Sequence, residues 1–473
     1  MKARRRALRT TATAGALLLL VMLTAPAQGV GEANWPGYLF GASHSSFNAL
    51  ATAITPSNAA SLKVYWNWKA APPTMTGQPS AGLFASPTVV DGRVYIGANT
   101  GVFYALDLAT KTVVWSKFLG FVAHHTCGKR GISSTATVAP DPSRGGQLTV
   151  YVAGPDGYMY ALRASDGATV WRSVVAIPST TKNDFFNWAS PAVSNGRVYM
   201  GLTSQCDAPL IRGGVVGYSQ TTGSSLGTYF AMAATRVGGG VWSSPAVNAQ
   251  DQVFVTTGTG RRDDAESIVR IYGPTMTRQE AWQVPTNEAI ADSDFGGSPT
   301  LFTANIQGVQ TPLAGACNKN GIFYALRQTN FAAGPVWRFQ AADPSRFGET
   351  ACLASAIWDG SRLFVAGSPT IVGGVHYQGA VRRLDPATGL PMWERGVNGV
   401  ILGSPTLNGS GVIAAGTYDA DGTNSVYLIN ASNGNLIKEL SMGSGRVFAQ
   451  AVFADTYLLV ARTGGPGLTI YTP

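Results

Sequence analysis

Four cysteines are the residues whose type and number most directly imply chemistry: Cys127, Cys206, Cys317 and Cys352. An even count in an exported chain implies two disulfides, for which three connectivities exist. Their spacing matches no zinc-ligand pattern. The four histidines, His44, His124, His125 and His376, form no HExxH motif. CxxCH, GxSxG and the phosphate-binding loop are also absent from the sequence. Covalent haem, a serine nucleophile elbow and a P-loop are therefore excluded. The stretch Gly260-Arg261-Arg262-Asp263-Asp264 reads as a charged turn.

Whatever chemistry remains must be positioned by a repeat. A small residue, Ser and Pro recur at Ala85-Ser86-Pro87, Ala189-Ser190-Pro191, Ser243-Ser244-Pro245, Gly297-Ser298-Pro299 and Gly403-Ser404-Pro405. Degenerate copies are Thr135-Ala136, Ser355-Ala356 and Gln450-Ala451. The period is about 50 residues, with four short β-rich runs in each unit, which is the pattern of propeller blades. The first unit reads as strand A at Pro87–Val90, B at Arg93–Gly97, C at Val102–Leu106 and D at Thr112–Trp115. Asp91-Gly92 supplies the A–B hairpin turn. The strand-D tryptophans Trp115, Trp171, Trp282, Trp337 and Trp393 are expected to fill the gaps between blades.

The eighth unit has strands A to C at 451–453, 457–460 and 468–471, and no D strand before Pro473. Leu62–Trp68 is a spare strand of the right kind. The expected fold is an all-β, eight-bladed propeller of four-stranded antiparallel blades, its last blade closed by that N-terminal strand. Closure removes the exposed sheet edges. The domain reading is 1–27 as a secretory signal, 28–61 as an N-terminal extension and 62–473 as the propeller. Lys2, Arg4, Arg5, Arg6 and Arg9, the apolar run Ala14–Leu23 and Ala25-Pro26-Ala27 form the signal pattern.

The formal charge of +9 falls to +4 without the five basic residues of that leader. With no basic block, a nucleic-acid partner is not expected. No membrane span follows the leader either, so a secreted or extracytoplasmic monomer is expected.

Functional side chains belong on loops held by the rigid frame. The long B–C loops are Leu202–Arg212, Thr257–Ser267, Ser368–Gln378 and Thr417–Asn424. Cys127 falls in a D–A loop and Cys206 in a B–C loop, which reach the same mouth. Cys317 is read as opening a strand C, and Cys352 as opening the next strand A. The expected bridges are Cys127–Cys206 and Cys317–Cys352.

Several segments resemble one family. Asn34–Tyr38 and Ile54–Leu62 are similar to the N-terminal stretch of the quinoprotein alcohol dehydrogenase superfamily, and Asn318–Tyr324 is similar to its Lys-Asn-Gly-Phe-Phe-Tyr element. The resemblance covers nearly all of the mature chain. It implies an eight-bladed propeller with pyrroloquinoline quinone (PQQ) and Ca²⁺ on its axis. It extends to a non-enzymatic relative, the propeller lipoprotein of outer-membrane β-barrel assembly. The polyvinyl-alcohol dehydrogenases carry a segment similar to Asp294–Pro299.

The resemblance implies roles for particular residues. Cys127 and Arg130 match the segment with the family's vicinal disulfide and its PQQ-contacting Arg. Trp242 matches the Trp under the quinone. Asp294 matches the catalytic Asp, and Lys319 the cation at the quinone oxygens. Asp207, Thr259 and Asp294 are the candidate Ca²⁺ ligands. The chain departs from the pattern in three ways. Cys127 stands without a neighbouring Cys, Thr259 replaces an Asn ligand, and Asp207 takes the place of a Glu only across a gap.

Each match also has a structural reading: packing for Trp242, a turn or cap for Asp294, solvated charges for Arg130 and Lys319. Two functions follow. One is a dehydrogenase oxidising a small or polymeric alcohol and passing electrons to a separate acceptor. The other is a binding or scaffold propeller without the cofactor, whose ligand is a protein or a cell-envelope component.

Overall fold

A computed structural model describes residues 33–123, 127–179, 184–260, 262–347, 352–419, 422–464 and 467–473. Residues 1–27, expected to be a secretory signal, lie outside the described residues, as do His124 and His125.

The described strands form eight four-stranded antiparallel blades, and Phe47–Asn48 adds a short parallel fifth strand to the blade of Thr406–Asn408. Blade 1 consists of Thr88–Val90, Arg93–Gly97, Val102–Asp107 and Thr112–Phe118, close to the expected bounds. Blade 8 takes its outer strand from the N-terminal side. Lys63–Trp68 pairs antiparallel with Leu468–Thr472, from Lys63 opposite Thr472 to Trp68 opposite Leu468. Two expectations are corrected. The Ser368–Gln378 connection is not a plain loop, because Thr370–Val372 and Val375–Tyr377 pair within it. Cys317 ends the second strand of blade 5, Val309–Cys317, rather than opening the third.

The buried apolar residues form eight clusters, each shared by two adjacent blades. One of them joins blade 8 to blade 1 through Trp68, Leu83, Val89, Leu459 and Leu468. Burial therefore closes the ring as well as filling it. The strand-D indoles bridge blades as expected. Trp115 Nε1 donates to Ala164 O at 3.0 Å, Trp171 to Gln220 O at 2.9 Å and Trp337 to Pro386 O at 2.9 Å. Trp115 lies so close to Gly167 (φ +72°) that a Cβ there would sit 2.6 Å from the ring. Glycine is needed at that turn both for its left-handed backbone and for the contact.

The Ser repeat has a physical role. Along six successive junctions the backbone N–H of the repeat residue donates to the next blade's side-chain oxygen: Ser86 to Thr135, Thr135 to Ser190, Ser190 to Ser244, Ser244 to Ser298, Ser298 to Ser355, and Ser355 to Ser404. Gln450 N donates to Ser86 Oγ across the closing junction. The Thr two residues later makes a second set of bonds. Thr88, Thr137, Thr300 and Thr406 donate to Ala136 O, Pro191 O, Ala356 O and Ala451 O.

The described part of 28–61 lies across one end of the propeller. Val89, Val138, Val247, Leu301, Trp358 and Leu407 sit at one register in six blades. They donate N–H to the carbonyls of Trp35, Pro36, Ala42, Ser43, Ser45 and Ser46. Four blades have no Thr there, carrying Ala192, Ala246, Ile357 and Val452 instead, and two of them, blades 4 and 6, meet the strap. There the strap supplies the donor: His44 Nδ1 to Pro299 O and Ser46 Oγ to Pro405 O, both at 2.8 Å. The Tyr38 side chain reaches into the channel beside the ring serines Ser298, Ser355 and Ser404, and burial raises its pKa.

Candidate functional site

The other end of the channel opens into a cavity of about 570 Å³. Its floor is set by the repeat. The residue two before each Ser-ring position is Phe84, Ser133, Trp188, Trp242, Gly296, Leu353, Leu402 and Phe448 in turn. Six of the eight are large and apolar, and together they line the narrow space above Tyr38. Gly296 is small because Trp242 and Leu353 occupy the place of its side chain: a Cβ there would meet them at 2.6 and 2.2 Å.

The structure brings Arg130, Asp207, Trp242, Thr259, Asp294 and Lys319 to this one cavity. They come from connections of four blades, and only convergence on the axis makes them neighbours. Cys127 is not among the lining residues, whereas its partner Cys206 is. Both expected bridges are present. Cys127–Cys206 has a Cα separation of 5.9 Å and Cys317–Cys352 one of 5.5 Å, both within the range a disulfide spans. The first fixes the wall that carries Arg130 and Asp207. Gln205 Nε2 adds a bond to Gly128 O at 2.7 Å.

Lys319 sits between two carboxylates. Its Nζ lies 2.5 Å from Asp294 Oδ1 and 2.7 Å from Asp292 Oδ2. Trp242 Nε1 donates to Asp294 Oδ2 at 3.0 Å, and Thr259 Oγ1 to Asp292 Oδ1 at 3.2 Å. The Lys319 backbone N–H also donates to Asp294 O at 3.1 Å. Asp294 is 2% exposed. Burial pushes its carboxyl up to about 7, against the opposing pull of Lys319. For Lys319, burial acts to lower the pKa, but the two aspartates outweigh it and the net shift is upward. Arg130 has no carboxylate partner among the described residues. Its guanidinium lies 4.7 Å from the Phe84 ring and 5.4 Å from that of Trp188, and burial lowers its pKa.

The expected calcium ligands do not form a cation site as they stand. Asp207 Oδ1 takes the Ser204 hydroxyl at 2.5 Å, and Thr259 turns to Asp292. Both Asp294 oxygens are engaged. Among the described residues no group of three His, Cys, Asp or Glu could hold a metal. Calcium needs several free oxygens, so Lys319 would have to leave first. The charged stretch at 260–264 leads into a turn at 263–266, as expected, but it is more than a solvated turn. Asp264 is 8% exposed, accepts from Tyr229 at 2.7 Å and is gripped by Arg278 at 2.6 and 2.8 Å.

Sequence reasoning missed Asp292, Phe84, Trp188, Leu402, Tyr418 and Phe448. The signal for four of them was present, because they occupy the repeat position of Trp242. Asp292 gave none, because its role depends on where Lys319 points.

The matches to known proteins agree with this frame. The PQQ family model, described as the glucose/ethanol/alcohol dehydrogenase β-propeller domain, matches residues 35–343. The outer membrane protein assembly factor BamB of Legionella pneumophila is 27% identical over 205 residues, which is 39% of this chain and 51% of that protein. The 1-butanol dehydrogenase (cytochrome c) of Thauera butanivorans is 26% identical over 264 residues, 54% of this chain and 35% of that one. The chain thus spans about half, or less, of the length of these curated relatives. The crystal structure of quinohemoprotein alcohol dehydrogenase from Comamonas testosteroni superposes with a TM-score of 0.70 at 17% identity, covering 93% of this chain and 80% of the other. That likeness is one of fold. Because the matched stretch takes in more than half of its residues, the chain belongs to the PQQ family of glucose/ethanol/alcohol dehydrogenase β-propeller domains.

Proposed function

We propose that this propeller is the catalytic domain of an exported PQQ-type dehydrogenase that oxidises an alcohol. The observation that carries the reading is the convergence of Arg130, Trp242, Asp294 and Lys319 on one axial cavity. Their chemistry suits a flat anion. The Trp242 indole offers a planar surface. Arg130 offers a guanidinium with no carboxylate partner among the described residues, and Lys319, held between Asp292 and Asp294, is a second cation. PQQ, when bound, supplies the acceptor for the hydride of the alcohol carbon.

This chain's own part is positioning and proton transfer. Asp294 takes the hydroxyl proton of the substrate. A carboxylate with a pKa near 7 is poised for that step at neutral pH. Lys319 holds the acceptor oxygen in place at 2.5 Å, and Trp242 fixes the other oxygen. The apolar floor keeps the reacting group out of bulk water. As these residues stand, Asp207, Thr259 and Asp294 are bonded to Ser204, Asp292 and Lys319 rather than free for calcium. Electrons pass to a separate acceptor.

Residues 1–27 are the export signal in this reading, and the two disulfides agree with an oxidising destination. Among the described residues no helix is long and apolar enough to cross a membrane.

One observation favours a second reading, a binding propeller without cofactor. Lys319 already pairs with both aspartates, so these carboxylates have a countercharge with nothing bound. A PQQ titration of the purified protein, followed by tryptophan fluorescence, separates the two. Saturable quenching that Trp242→Ala abolishes supports the dehydrogenase. Absence of binding with or without added Ca²⁺ rejects it.

A further inference from the structure

Blades 1 and 3 open their second strands on the same pair of residues, Arg93 with Tyr95 and Arg197 with Tyr199. Each arginine reaches the next blade, but the two junctions differ. Between blades 3 and 4, Arg197 Nη1 meets Asp251 Oδ2 at 3.2 Å. Between blades 1 and 2, Arg93 Nη1 finds only a carbonyl, Ala164 O, at 3.2 Å. The ladders identify the matching position. Gln252 pairs with Tyr272 in blade 4 as Thr149 pairs with Arg163 in blade 2. Gly273 N–H donates to Asp251 O as Ala164 N–H donates to Leu148 O. Leu148 therefore stands where Asp251 stands, and the carboxylate is missing. A second guanidinium comes to the same place. The first turn of blade 2 is a short 3₁₀ segment, Pro142–Arg144, capped by Asp141, which accepts from Ser143 N–H at 2.9 Å. It carries Arg144 to a cleft of about 480 Å³ that Arg93, Tyr95, Leu148 and Arg163 also line.

The acids around this cleft are committed elsewhere. Asp166 grips Arg163 at 2.8 and 3.0 Å. Asp91, on the lining, takes Asn34 Nδ2 at 3.3 Å, and Asp107, opposite Arg93 in the ladder, takes Thr110 N–H at 2.8 Å. Among the described residues neither Arg93 nor Arg144 has an ion-pair partner. We propose that this cleft is a binding site for a small monocarboxylic acid, whose carboxylate lies between Arg93 and Arg144 where Asp251 lies at the sister junction. Two like charges in one cleft repel each other, and an anion between them turns that cost into attraction. The planar fork of a guanidinium matches a carboxylate. Val90, Tyr95 and Leu148 give the cleft an apolar wall for the body of the acid, and its volume suits a small molecule. The site is distinct from the axial cavity and does not depend on the dehydrogenase reading.

The test is isothermal titration of the purified protein with acetate, hexanoate, benzoate and the neutral hexanamide. Hexanoate and benzoate should bind. Hexanamide keeps the shape without the charge and should bind about 10-fold more weakly or worse. Acetate should bind at least about four-fold more weakly than hexanoate, the effect of one buried methylene. Arg93→Gln and Arg144→Gln should each weaken hexanoate about 10-fold or more. Leu148→Asp, which supplies the carboxylate from the chain as Asp251 does, should abolish binding. Thermal melts identify any variant that fails to fold. Arg93→Gln, a change at a part-exposed strand end, decides the question if Leu148→Asp does. Hexanoate held in the axial cavity instead would be indifferent to both arginine variants. If these variants keep the parental affinity, or if hexanamide or acetate binds as tightly as hexanoate, the proposal is overturned.

Discussion

The indole Nε1 of Trp242 donates to Asp294 Oδ2 at 3.0 Å. This bond joins the cavity floor in blade 4 to the buried carboxylate that precedes blade 5. It stabilises the ionised form of Asp294 and so lowers a pKa that burial raises. Trp242→Phe keeps a flat floor and removes the donor. The expected result is PQQ binding within a few-fold of the parent, with the midpoint of the rate against pH moved upward. A downward or absent shift would show that the bond does not tune Asp294.

Asp294 also gives a pH dependence of its own. As the base it must be ionised, so turnover should rise as pH increases through about 7. Asp294→Asn should retain PQQ binding and lose turnover by 10²-fold or more. Stability runs the opposite way. The folded pKa lies above the unfolded value of 3.8. The unfolded state therefore gives up its proton first as pH rises, and stability falls between about 4 and 7. Asp294→Asn should remove that slope from a series of denaturation midpoints.

His44 gives the reverse dependence. It is 2% exposed, and burial lowers its pKa from 6.5 to about 4. Stability is fully present above 6.5 and is lost as pH falls toward 4, by about 3 kcal/mol. The strap should therefore loosen first in mild acid. His44→Gln, which can still donate to Pro299 O, should reduce the loss of melting temperature between pH 6.5 and 4. An unchanged acid slope would show that His44 is not the group responsible.

The two bridges should differ in access. Cys317 and Cys352 are 0% and 1% exposed, whereas Cys206 lies on the surface. Mild reduction of native protein should open Cys127–Cys206 first, as peptide mapping with a thiol label would reveal. Replacing Cys317 and Cys352 by Ala, across a separation of 35 residues, should cost about 4 kcal/mol in denaturant unfolding.

The ring itself is testable. Deleting residues 60–70 removes Lys63–Trp68 and leaves the edge of Leu468–Thr472 unpaired. The expected outcome is aggregation or a large drop in melting temperature. A soluble variant melting within a few degrees of the parent would mean that the strand is not the closure.

The sequence by itself determined what depends on local period and on chain bookkeeping. The Ser-Pro repeat, the Asp-Gly turns and the missing last strand specified eight blades and their closure, because strand pairing and turn chemistry are written in neighbouring residues. The even cysteine count implied two bridges, and the loop positions of Cys127 and Cys206 pointed to the first, whereas Cys317 closes a second strand and not the start of a third. Arg130, Trp242, Asp294 and Lys319 were legible through family resemblance, although nothing in their spacing placed them together. Tertiary structure decided the rest. Lys319 spans Asp292 and Asp294 because its blade turns it toward the axis, and this removes the oxygens that a metal would use. Phe84, Leu402 and Phe448 repeat Trp242's position, yet they become a cavity wall only when the ring closes. His44 and Ser46 are ordinary residues in sequence, and they become donors because Ala246 and Ile357 leave two carbonyls without a Thr. Each of these contacts joins residues far apart in the chain, and their meeting depends on how eight inter-blade cores pack around one axis.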